Sequence, residues 1–403
     1  MLLQHNWSSL PDEIIAEIIS HLDVPRPRSS AINISATTFK VNYLGPVTFN
    51  ISDFWKILDN LFTIFTTPST NTFSIYLDDT LYERPCVRLI LDSWAHRLRV
   101  RNTQHIEIRS DYVSFGDRVC LPSVFQIQSL VSLHLSCVPL VSNPIVLPNP
   151  KKLSLGSVNH GFLGRLLIGC PSLEDLSFSL TEKPKGRNGL VSISSKNLKR
   201  LCIILDIYLV LGNIEVIIDT PALDHLFFSA NSPRLSMRMT ESVSNLKSLE
   251  LSGVSTTMLY SNPTKTIFEF PNMTHLTLSL GSSEIFKAIF VQQRLPPYYP
   301  NLEVIVLNFS IFYDIVWDTK DTFVLVDHVK HLELHMGIVR IDGQTLNLVT
   351  WLLRSAPILK KLVFSGYGTR PSDDFLGKFH KTVLKCAEDT SGCEIDFLGG
   401  YKL

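Results

Sequence analysis

Apolar residues in this chain recur in one spacing: an apolar residue, two variable ones, an apolar residue, one variable, an apolar residue. "CPSLEDLSFSL" at Cys170 to Leu180, "TPALDHLFFSA" at Thr220 to Ala230 and "YPNLEVIVLNF" at Tyr299 to Phe309 all carry it, the first through Leu173, Leu176 and Phe178. Further copies are Leu130, Leu133, Leu135; Leu198, Leu201, Ile203; Leu223, Leu226, Phe228; and Leu246, Leu249, Leu251. The series continues with Met273, Leu276, Leu278; Leu302, Ile305, Leu307; Val329, Leu332, Leu334; and Leu359, Leu362, Phe364. A weaker copy has Pro150 ahead of Leu153 and Leu155, and Ile106 with Ile108 marks an earlier one. From 130 to 359 the first positions follow one another at intervals of 20 to 30 residues.

This spacing puts the second and third apolar residues on one face of a short strand, while the first fills the turn before it. One such unit has no means of burying its own apolar face. Stacked units do, because parallel strands pair laterally, the inward residues form a column, and the outward ones make a ladder on a concave surface. An isolated L-x-x-L-x-L also occurs in ordinary Leu-rich sheets. Ten copies at near-regular spacing, most preceded within three residues by Pro or Asn, select the solenoid. The predicted class is α/β: an irregular leucine-rich-repeat horseshoe with parallel strands on the concave face and a short N-terminal helical segment. Asn308 is one of few candidates for the repeat's usual terminal Asn, whose side chain satisfies loop backbone.

The first residues have a different pattern. In "SSLPDEIIAEIISHLDVPRP", Ser9 and Asp12 resemble a capping box, Pro11 suits a first turn, and Pro25 and Pro27 end the segment. Between them Ile14, Ile15, Ile18, Ile19 and Leu22 form a helical apolar stripe opposed by Asp12, Glu13 and Glu17. The stripe needs a partner, either the chain's own first repeats or a groove on another protein. Helices are also predicted over Ser52 to Phe65, Cys86 to Arg99, Asp342 to Pro357 and Ser372 to Asp389, with strands at Thr72 to Asp79 and in "CEIDFL". The apolar run Leu201 to Ile218 is broken by Asp206, Gly212, Asn213 and Glu215 and reads as two buried strands, not a membrane span.

Composition narrows the function. Lys plus Arg and Asp plus Glu each number 37, so no net field draws the chain to nucleic acid or to an anionic membrane. Seven scattered Cys without a C-x-x-C pair suit reduced thiols in the nucleus or cytoplasm. The start lacks a basic region and an apolar run of signal type, so the mature chain is expected to begin here. Motifs for a nucleophile elbow, a zincin helix or a phosphate loop are absent from the sequence. In "HVKHLELHM", His331, Glu333 and His335, with His328 nearby, have the residue types of a zinc site. On a strand they point away from the core, and a polar surface ladder is the simpler account. No catalytic residue, metal or cofactor is therefore assigned, and Cys170, beside a buried repeat, is expected to be packed rather than nucleophilic.

"LPDEIIAEIISHL" resembles the opening of an F-box, whose hallmark is Leu-Pro-x-Glu followed by an amphipathic helix. "LPSVFQIQSLVSLHLSCV" at Leu121, "GCPSLEDLSFSL" at Gly169, "WLLRSAPILKKLVFSG" at Trp351 and "SGCEIDFLG" at Ser391 are similar to segments of plant F-box proteins carrying leucine-rich repeats and an FBD region. That resemblance implies a substrate-recognition subunit of a Skp-cullin-F-box ubiquitin ligase, binding a target protein through the repeats. It also implies adaptor contacts at Leu10, Pro11, Ile14, Ile15, Ile18 and Leu22. The family follows its first helix with two more, whereas residues 23–52 here are rich in Pro and β-branched residues without a helical stripe. The F-box is thus truncated in pattern, and a scaffold or decoy that no longer binds the adaptor is the alternative. On this reading residues 8–24 are a partial F-box-like helix, 25–51 a linker or degenerate F-box remainder, and 52–128 an N-terminal cap with irregular first repeats. Residues 129–336 are the repeats and 337–403 the last repeat with an FBD-like cap.

Overall fold

The computed structural model describes residues 31–34, 38–43, 71–77, 85–110, 122–137, 145–158, 160–180, 188–205, 213–230, 235–240, 242–253, 270–280, 301–309, 328–336, 343–366, 373–390 and 392–399. The expected helices at 8–24 and 52–65, and with the first the six adaptor-contact residues, lie outside these. Two compact units divide the chain, residues 1–182 and 183–403.

In the first unit, β1 (Ala31–Ile34) pairs antiparallel with β2 (Thr38–Tyr43). Every later pairing in its sheet is parallel, through β3 (Thr72–Leu77), β4 (His105–Ser110), β5 (Ser132–Cys137), β6 (Lys152–Val158) and β7 (Asp175–Leu180). Helices α1 (Pro85–Val100) and α2 (His160–Gly169) supply the returns from β3 to β4 and from β6 to β7, while the described residues of the return before β5 include a 3-10 turn at Pro122–Gln126. Register follows the apolar pattern: Leu133, Leu153 and Leu176 are cross-strand partners, as are Leu135, Leu155 and Phe178, and all are buried. Each such side chain contributes about 1.5–3 kcal/mol by leaving water.

The second unit holds two sheets. Its main sheet is parallel, in the order β9 (Arg200–Leu205), β11 (His225–Ala230), β13 (Ser248–Ser252), β14 (His275–Leu280), β15 (Val304–Phe309), β16 (His331–Met336), β17 (Lys361–Gly366), β18 (Glu394–Gly399). Leu201, Leu226, Leu249, Leu276, Ile305, Leu332 and Leu362 form one buried row across it. The second sheet sets β10 (Asn213–Asp219) between β8 (Asn188–Ser194) and β12 (Leu235–Met239), again parallel. Leu201 to Ile218 is therefore two strands, as its polar interruptions imply, but in different sheets. Three consecutive repeats return by a strand where others use a helix, because Val191, Ile193, Ile214, Val216 and Ile218 alternate and are buried with period two.

Between successive repeats the turn is stitched by backbone and by asparagine. At most repeats the carbonyl of the residue after the first apolar position accepts two successive N–H groups of the next repeat: Val131 from Lys151 and Lys152, Asp224 from Lys247 and Ser248, Lys247 from Thr274 and His275. Asn149, Asn245, Asn272 and Asn301, each just before a first position, donate through Nδ2 to the carbonyls of Gln128, Pro221, Ser244 and Pro271 in the preceding repeat. The asparagine that satisfies loop backbone is thus at the front of the repeat. Asn308 is not such a residue: strand alternation turns it to the opposite face from Leu307, where it donates to Ser279 Oγ at 3.2 Å.

The C-terminal end is closed by α3 (Gly343–Ser355) and α4 (Asp373–Thr390), which touch each other. Leu376, Phe379, Val383 and Cys386 are buried on α4, with Phe379 5.3 Å from Phe364 and 6.4 Å from Phe397. His380 is 2% exposed, its ring 4.1 Å from that of Phe397, and neither ring nitrogen has a hydrogen-bond partner among the described residues. Burial pushes its pKa down from 6.5. A neutral ring is tolerated above that value, and as pH falls below it the unfolded chain binds a proton that the folded cap refuses. The thermal midpoint should therefore fall on acidification from pH ~7 to ~5.5, and His380→Phe should remove part of that slope in scanning calorimetry. An unchanged slope would mean that His380 is not a source of the loss.

Gly156 marks a register shift between Leu155 and Ser157 on β6, and a Cβ there would lie 1.5 Å from the carbonyl oxygen of Ser136 on β5. Gly156→Ala should destabilise the chain by at least ~2 kcal/mol in urea unfolding. Gly164→Ala, on α2 with open space around it, should instead be neutral or stabilise by about 0.5–1 kcal/mol.

Candidate functional site

Strands β7, β9, β11, β13, β15 and β16 bury alternate residues and leave the others half-exposed or exposed, so the register assembles rows of outward side chains, many of them polar, across each unit. In the first unit one row runs Thr72, His105, Ser132, Lys152, Asp175, and the next Ser74, Glu107, His134, Ser154, Ser177. A cavity of about 220 Å3 opens among them, lined chiefly by His105, Glu107, Arg109, Ser132, His134 and Lys152. His105 Nδ1 and Ser132 Oγ are 2.8 Å apart, and Ser74 donates to Glu107 at 2.8 Å. Burial alone would raise the Glu107 carboxyl, but the Ser74 hydrogen bond and the Arg109 ion pair hold it below its usual value. Burial, reinforced by Arg109 and Lys152 and opposed by Glu107, pushes His134 down. Asp175, 3.5 Å from Lys152 Nζ, and Ser177 lie on this face as their outward positions imply.

In the second unit the middle row reads Cys202, Phe227, Glu250, Thr277, Val306, Glu333, Val363, Asp396. Asp396 meets Lys361 at 2.7 Å. Glu333 spends both oxygens on its own strand, contacting His331 Nε2 at 2.8 Å and His335 Nε2 at 3.0 Å, while His335 Nδ1 reaches Ser365 Oγ at 2.6 Å. Burial works to raise Glu333, and the hydrogen bonds from the two rings outweigh it and hold the carboxyl low.

This geometry explains His331, Glu333 and His335 without a metal. The histidines are four residues apart on a strand, about 13 Å along the backbone, and flank the carboxylate from opposite sides instead of converging on a point. Among the described residues no group of three or more His, Cys, Asp or Glu is placed to hold a metal ion. Burial raises the Cys170 thiol to about 12, which leaves it protonated and unreactive. No described helix is long and apolar enough to cross a membrane. The charged patch Glu107, Arg109, His134 and Lys152 was missed in the sequence, although each residue occupies an outward slot of the spacing. Zinc titrated into the full chain should give no saturable uptake that the double variant His331→Ala, His335→Ala abolishes in calorimetry; uptake lost in that variant would mean that the pair rearranges to bind.

A stack of parallel strands in this spacing, half-buried and half a polar ladder, defines the chain as a leucine-rich-repeat solenoid protein. Residues 91–261 match the family model described as FBD-associated F-box protein At5g56370, LRR repeats. Three similar proteins come from Arabidopsis thaliana. FBD-associated F-box protein At4g10400 is 26% identical over 57% of this chain and 59% of its own length, less than two thirds of it. The F-box/FBD/LRR-repeat protein At5g25850 is 23% identical over 96% of this chain and 95% of its own. F-box protein At4g09920 is 26% identical over 60% of this chain and 82% of its own. The repeats are thus similar to those of FBD-associated F-box proteins, and all three of these relatives bear F-box names.

Proposed function

We propose that this chain is a non-catalytic substrate-recognition subunit of a Skp-cullin-F-box type ubiquitin ligase, acting in the nucleus or cytoplasm. The observation that carries this reading is the half-exposed ladder face, a broad polar surface on repeats of the F-box-associated kind. Such a face suits a protein partner, since its side chains are held at fixed spacings by a rigid sheet. Leu10, Pro11, Ile14, Ile15, Ile18 and Leu22 would meet a Skp-type adaptor, and through it a cullin, by the apolar stripe of an amphipathic helix. Ubiquitin transfer would belong to other subunits, and neither nucleic acid nor a membrane is a partner.

One observation favours a second reading. Strands β1 and β2 occupy 31–34 and 38–43, within the stretch where the family places its second and third F-box helices. A helical unit reduced in this way would lose much of its own core and of its contact area, leaving a repeat scaffold or decoy. A pull-down of the full-length chain with a plant Skp adaptor, beside the double variant Ile14→Asp, Ile18→Asp, separates the two. Binding that the variant abolishes supports the ligase subunit. No binding by folded wild-type chain leaves the scaffold.

A further inference from the structure

We propose that the ladder face of β9 to β15 is a docking surface for a protein segment that presents a lysine or arginine flanked by apolar side chains, with Glu250 as the residue that receives the cation. This rests on the receptor reading only in naming its target class; the surface would serve a scaffold equally well.

The placement of Glu250 is what sets this face apart. It lies between Phe227 and Thr277 in register, with Cys202 one strand beyond Phe227 and Val306 one strand beyond Thr277. Spacing of about 4.8 Å between strands makes this a row of roughly 19 Å. Among the described residues Glu333 is held by two histidines and Asp396 by Lys361, whereas Glu250 has no hydrogen bond and no ion pair. Its half-buried carboxyl is raised above the usual value by burial alone, with no neighbouring charge contributing. The histidines diagonal to it point their Nδ1 atoms elsewhere, His225 to Asp224 at 2.6 Å and His275 to Thr274 at 2.8 Å.

A partly desolvated carboxylate without a counter-charge costs stability in the free protein, and a partner's cation would return that cost on binding. Phe227 offers a flat apolar surface beside it, suited to the methylene stem of Lys or Arg and to its charge over the ring. Ile204, 38% exposed, extends the apolar surface at the β9 end, and Val306 does so on β15. Ser229, Ser252 and Ser279 line up along the adjacent row and offer hydroxyls to an extended partner backbone. An acidic partner would meet a second negative charge here, and a wholly apolar one would bury Glu250 unpaired.

The test uses the full chain and three immobilised decapeptides that differ in a central triplet: Leu-Lys-Leu, Leu-Gln-Leu and Leu-Glu-Leu. Wild type should prefer the lysine peptide by about tenfold or more over the glutamine one. Glu250→Gln, isosteric and half-exposed, should keep the thermal midpoint and lose that preference, and Glu250→Lys should turn it toward the glutamate peptide. Equal affinity for lysine and glutamine peptides, a preference that survives Glu250→Gln, or no binding of any peptide would each overturn the proposal. So would wild-type dimerisation in sedimentation that Glu250→Gln abolishes, which would make a second copy the occupant. None of these readouts involves the adaptor, so failure of the adaptor pull-down and failure of this surface are separate results.

Discussion

A strand with one apolar face is unstable alone, and everything in this molecule follows from how that face is covered. Parallel pairing at fixed register brings Leu201, Leu226, Leu249 and Leu276 into one row, so each repeat is buried by its neighbours instead of by a layer of its own. The same register dictates the opposite face. Once the leucines align, the residues between them must align too, and polar rows arise with no further instruction. The carbonyl that accepts two N–H groups and the asparagine at the front of four repeats hold successive turns to that register.

Because the rows come from register, the chemistry of the ladder is decided residue by residue and can differ along it. The first unit gathers Arg109, Lys152, His134 and Glu107 around a small cavity and satisfies most of its charge internally. The second combines acids with Phe227, Val306 and Val363, and pairs Glu333 and Asp396 but not Glu250. Exposed pairs such as Lys151 with Glu174 and Lys330 with Glu303 sit outside these rows, at the turns, and add little to stability. Their opposite signs on adjacent turns do avoid like-charge repulsion between stacked repeats.

Much of this was legible from spacing. The L-x-x-L-x-L copies located β5 to β7, β9, β11 and β13 to β17, and helical periodicity located α1, α3 and α4, because a stripe of period 3.6 or 2 survives any tertiary arrangement that buries one face. The second sheet was less visible. Strand β12 has only five residues, and on β8 Leu190 is exposed while Val191 and Ile193 are buried, so no long apolar run announces them. Asn308 illustrates a different failure, in which a residue type was matched to a consensus role although its slot in the alternation already placed it on the other face.

The sequence by itself determined which residues face the core, that the repeats stack, and that the resemblance is to F-box proteins with leucine-rich repeats. Those properties depend on period and composition, which are local. Only the tertiary structure decided which outward residues become neighbours, since partners on adjacent parallel strands lie 20 to 34 residues apart and their pairing depends on register between repeats of unequal length. That is why His331 and His335 could look like metal ligands in sequence and yet flank a shared carboxylate in the fold. It is also why Glu250, one acid among many along the chain, emerges as a carboxylate without a partner among the described residues.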